Sequence, residues 1–89
     1  MHEFLGEIQP LLLRMIRSLV DQPEAASVQV NQDAMPATLI VRVAPGDVGK
    51  IIGKQGRTAR SIRVIVGASA QKFKHPSVAV DIGLNHRDA

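Results

Sequence analysis

Residues 49–57 read Gly-Lys-Ile-Ile-Gly-Lys-Gln-Gly-Arg, and this string restricts the fold more than any other in the chain. Gly53 and Gly56 bound a two-residue tip, Lys54-Gln55. Glycine reaches positive φ at no steric cost and lets the backbone approach another chain closely. Residues 46–52 can form a short helix ahead of the turn. From Arg57 onward Ala59, Ile62, Val66, Ala70 and Phe73 recur at helical spacing, with Ile65 and Ser69 beside them. Two helices therefore meet at a tight glycine-bounded turn. Gly67 falls inside the second helix, where glycine costs ~1 kcal/mol against alanine; it marks either close packing or nothing of note. His75-Pro76 ends that helix.

The rest of the chain supplies a sheet and one more helix. Over residues 3–20, Phe4, Leu5, Ile8, Leu11, Leu12, Met15, Ile16 and Leu19 form one apolar helical face. Pro10 interrupts it, since proline is tolerated in a first turn and not deep inside a helix. The reading is a firm helix over about 10–20, with residues 1–9 as an extension or a kinked extra turn. Residues 27–31 alternate, with Val28 and Val30 on one face, and 38–43 are β-branched and nearly continuous. The loop from Gln32 to Pro36 joins them as a hairpin. Ser77 to Ile82 alternates again and gives a third strand. The order is α-β-β-α-α-β, an α+β domain with a three-stranded sheet and helices on one face. Residues 10–82 make the domain, and 83–89 a polar tail that frays.

Charge locates the partner. Residues 48–80 hold Lys50, Lys54, Arg57, Arg60, Arg63, Lys72 and Lys74 and no acid, a charge of +7. Residues 1–47 carry −3 and residues 81–89 carry −1, so the net +3 of the 89-residue chain conceals a strongly basic segment. Such a patch focuses a field on anions. The turn also feeds the N-terminus of the longer helix, whose unpaired N–H groups suit a phosphate. Arg57, Arg60 and Arg63 step by three along one broad side of that helix. Arg63 reads equally as solvated or as binding, and Lys72 and Lys74 read as solubilising.

Ile51-Ile52-Gly53-Lys54-Gln55-Gly56, followed by Ile62 at helical distance, resembles the KH domain signature. The element order resembles the type II arrangement. Ser18-Leu19-Val20-Asp21, Arg42-Val43-Ala44-Pro45 and Gly49 to Arg57 resemble the small stand-alone bacterial KH proteins of the KhpA family, over about residues 11–82. Residues 1–9 and Gly67 depart from that pattern. The resemblance implies a G-x-x-G loop that clamps about four nucleotides of single-stranded RNA. Carried over by position, the backbone contacts fall on Gly53, Lys54, Gln55 and Gly56, helped by Lys50, Arg57 and Arg60. The groove floor falls on Val48, Ile51, Ile52 and Ile62, with Val41 or Val43 beside it. Ile51 and Ile52 are adjacent, so one belongs to the core and the other to the groove. The resemblance also implies pairing, as a homodimer or with a KhpB-like KH-containing protein, and an RNA-chaperone or post-transcriptional role.

Composition agrees with an aliphatic groove. Single-strand readers that stack bases need exposed aromatic rings, and the chain has only Phe4 and Phe73, both on apolar helical stripes and read as core. Other chemistry finds no footing. A phosphate-binding P-loop needs Gly at position 48 and Ser or Thr at 55, which are Val48 and Gln55. His2, His75 and His86 are isolated and there is no cysteine, so no metal or cofactor is expected. No constellation for acid–base or nucleophilic catalysis is present, and the expectation is a binding protein rather than an enzyme. The acidic start and the lack of a long apolar run point to a cytoplasmic chain away from membranes. Two other readings remain open: a protein-interaction module docking through the first or the long helix, and a ribosome-assembly factor.

Overall fold

The computed structural model describes residues 3–82, so the expectation of a fraying tail lies outside the described residues. Helix α1 (Glu3–Leu19) is followed by strands β1 (Ser27–Asn31) and β2 (Ala37–Arg42), helices α2 (Val48–Ile52) and α3 (Arg57–Lys72), and strand β3 (Val78–Ile82). Short 3-10 turns precede β1, α2 and α3. The sheet order is β1-β2-β3. β1 pairs antiparallel with β2, as a hairpin must, and Val28 faces Val41 across the ladder. β2 pairs parallel with β3, Leu39 beside Val80. A parallel pair needs a crossover connection, and α2, the glycine turn and α3 provide it.

Period-two alternation sends Val28, Leu39, Val41, Val80 and Ile82 to the helical face of the sheet, where all are buried. Against them pack Ile51 of α2, the Ala59/Ile62/Val66/Ala70 stripe of α3, and the apolar face of α1.

Helix α1 starts seven residues earlier than the firm helix read from sequence. Pro10 lies inside it. The carbonyl that Pro10 cannot serve belongs to Gly6, and both residues lie on the exposed side of the helix. Proline in a helix interior costs ~3 kcal/mol or more. Phe4, Leu5 and Ile8, ahead of it, are all buried, and each contributes ~1.5–3 kcal/mol. Tertiary burial outweighs the local break. Phe4 anchors this end, its ring centroid 5.5 Å from Phe73 and 5.2 Å from His75. Phe73 was expected in the core and instead is 47% exposed. It sits just past the C-terminus of α3, its ring tilted 45° to that of Phe4.

Candidate nucleic-acid interface

The turn is more sharply specified than its sequence required. Gly53 closes α2 with φ 77° and ψ 174°, its N–H donating to the Gly49 carbonyl at 2.8 Å. A Cβ on Gly53 would lie 2.8 Å from Thr58 Cβ and 2.9 Å from the Thr58 backbone nitrogen. Gln55 (φ 55°) and Gly56 (φ 75°) both adopt left-handed backbone. The N–H of Gly56 donates to the Gly53 carbonyl at 3.2 Å, and that of Arg57 to the Lys54 carbonyl. Those of Lys54 and Gln55 donate to no backbone carbonyl among the described residues. Two N–H groups are thus left free next to an exposed lysine, a small nest for an anion.

Gly56 opens onto a groove of about 490 Å³ between α3 and the free edge of the sheet. Ile52, Ala59 and Ile82 make its apolar surface, and Arg60 and Arg63 border it. The adjacent isoleucines divide as their geometry demands. Ile51 is fully buried under the sheet, and Ile52, one residue on, turns to the groove.

Several expected site residues are placed elsewhere. Ile62 and Val41 are core, and with Ile51 they support the groove from beneath rather than facing a ligand. Val48 and Val43 are partly buried and lie outside the cavity. Lys50 is turned toward the end of α1, its Nζ 3.2 Å from Asp21 and 3.6 Å from Asp47, so in this structure it is ion-paired. Lys54, Arg57 and Arg60 are exposed, and Arg57 Nη2 is 3.5 Å from Gln55 Oε1. Arg63 stands in the groove wall, where its Nε donates to the Val80 carbonyl at 3.2 Å. Its three-residue spacing from Arg60 was visible in the sequence, and its contact with β3 was not. Gly67 has no close neighbour for a Cβ, so tight packing does not explain it.

Asp47 joins the two halves of the fold. It accepts from the N–H of Asp21 at 3.2 Å and of Gln22 at 3.0 Å, and its side chain is buried. Burial pushes its carboxyl up, but the two N–H bonds and Lys50 outweigh that and hold it below the ordinary value of 3.8. A depressed carboxyl contributes stability above its unfolded pKa and loses it as pH falls through the folded one. The prediction is that Asp47→Asn melts several degrees below wild type at pH 7 and that the gap closes below pH ~3.8. Thermal melts from pH 7 to pH 2 check it; a gap that does not change with pH contradicts this role.

Among the described residues no helix is long and apolar enough to cross a membrane. The family model described as KhpA/KhpB, KH domain, matches residues 9–82. The chain is similar to "RNA-binding protein KhpA" of Borreliella burgdorferi, 42% identical over 81% of this chain and 87% of that one. Its likeness to the protein of that name from Clostridium acetobutylicum is 40% over 84% of this chain and 99% of the relative. For Clostridium perfringens it is 46% over 74% and 87%. No solved structure gives a significant match. The glycine turn, the parallel crossover and these likenesses agree: the chain belongs to the KhpA/KhpB family of KH domains.

Proposed function

We propose that this chain binds single-stranded RNA by clamping the strand's phosphates on the Gly53–Gly56 turn and laying bases in the Ile52/Ile82 groove. The observation that carries this is the turn itself: two free N–H groups and Lys54 at the mouth of an aliphatic groove bordered by Arg60 and Arg63. The relatives' name, RNA-binding protein, supports the same reading. About four nucleotides fill such a groove, so one domain binds weakly and two domains on one strand bind far better. The chain therefore works in pairs, as a homodimer or beside a KhpB-like KH protein, as an RNA chaperone or post-transcriptional regulator in the cytoplasm. Exposed Leu11, Ile65 and Phe73 on the α1/α3 side offer apolar surface for that pairing.

The test is binding of short unstructured RNA across a salt series. Lys54, Arg57, Arg60 and Arg63 neutralise about three phosphates, which gives a slope of log K against log salt of about −2. The double variant Lys54→Asp, Gln55→Asp is expected to lose at least about tenfold in affinity, ~1.4 kcal/mol. Its fold should survive. Aspartate tolerates the left-handed backbone of position 55, and both charges favour the N-terminus of α3. A double variant that binds as wild type does excludes the turn as the clamp. Sedimentation at rising concentration checks the pairing: a chain that stays at 9.6 kDa excludes the homodimer.

A further inference from the structure

We propose that the bound strand continues past the Ile52/Ile82 groove into a second cavity between α3 and the start of β3, which holds additional nucleotides. This rests on the RNA reading above and extends its site. The second cavity has a volume of about 570 Å³, and Arg63, Gly67, Gln71, His75, Ser77 and Val78 line it. Arg63 belongs to both cavities. Its Nε is fixed on the Val80 carbonyl, so the guanidinium stands at the junction with nitrogens left to meet a phosphate. The two cavities together follow α3 from Gly56 to Gln71, ~22 Å at ~1.5 Å per residue.

The lining is suited to nucleotides. It carries no acid, and Gln71, His75 and Ser77 present donors and acceptors to base edges. Gly67 gains a purpose here. A Cβ at this position would meet nothing within 4 Å, so glycine is not required by packing, and its φ does not require glycine either. A poor helix former stands in the wall of the second cavity, where a larger side chain would narrow the space between Arg63 and Gln71.

The test compares four- and eight-nucleotide oligouridylates by amide NMR titration and by affinity. The tetramer should shift amides over residues 53–60, and the octamer should add those of Gly67, Gln71 and Ser77. Extra registers alone give the octamer about fivefold, since eight positions hold about five four-nucleotide frames; the wild type should exceed this severalfold. Gly67→Leu fills the cavity with a better helix former. It should melt no lower than wild type, keep tetramer binding, and reduce the octamer's advantage to the statistical value. If the tetramer leaves residues 53–60 unmoved, the RNA reading and this extension fall together. If the tetramer binds but the octamer leaves Gly67, Gln71 and Ser77 unmoved, or if Gly67→Leu retains the full advantage, the extension alone is wrong.

Discussion

Gly53→Ala is expected to be the most damaging single-methyl change in the chain. At φ 77° and ψ 174° the residue occupies a region that is essentially restricted to glycine, and any other residue is strained there by ~1–3 kcal/mol. The added methyl also strikes Thr58 at its Cβ and its backbone nitrogen, neither of which can rotate away. The helix start must move, and the combined loss should reach about 3 kcal/mol or more. In a domain of this size that lowers Tm by ~12–24 °C. RNA affinity should fall with it, because the free N–H groups are aimed by the same backbone. Gly56→Ala provides the contrast. Its left-handed backbone costs ~1–2 kcal/mol for a side chain, but the space around it is open. Thermal melts of the two variants decide the matter, and a Gly53→Ala protein more stable than Gly56→Ala would refute the steric argument.

Most of the fold was legible because local and tertiary demands coincide. Two strands carry alternation and the central one a nearly continuous β-branched run, and the observed bounds lie within one residue of those read from sequence. The glycine turn was legible because positive φ leaves a compositional mark. The remainder depended on partners distant in sequence. Nothing near Lys50 announces that Asp21, at the end of another helix, captures it. The start of α1 was obscured by Pro10, whose local cost is visible while the burial of Phe4, Leu5 and Ile8 is not. Phe73 shares the apolar stripe of α3 but falls beyond the sheet it would have covered. Arg63 needed β3 alongside before its spacing acquired a meaning.

The adjacent isoleucines offer the cleanest separation of folding from binding. Ile51 has no exposed surface and packs in the common core of sheet and helices. Ile51→Ala should therefore cost ~2–5 kcal/mol, through lost transfer energy and the cavity left behind. Ile52 is partly exposed and lines the groove. Ile52→Ala should cost less than about half as much stability, since water already reaches part of the side chain. Its effect should appear in RNA affinity instead, as a loss of about three- to tenfold for apolar contact with a base worth ~1 kcal/mol. Urea unfolding and RNA titration under conditions where both variants are folded measure the two quantities separately. Equal destabilisation by the two substitutions would contradict the orientation of α2. Full RNA affinity in Ile52→Ala would remove Ile52 from the binding surface and leave the clamp to the turn and its arginines alone.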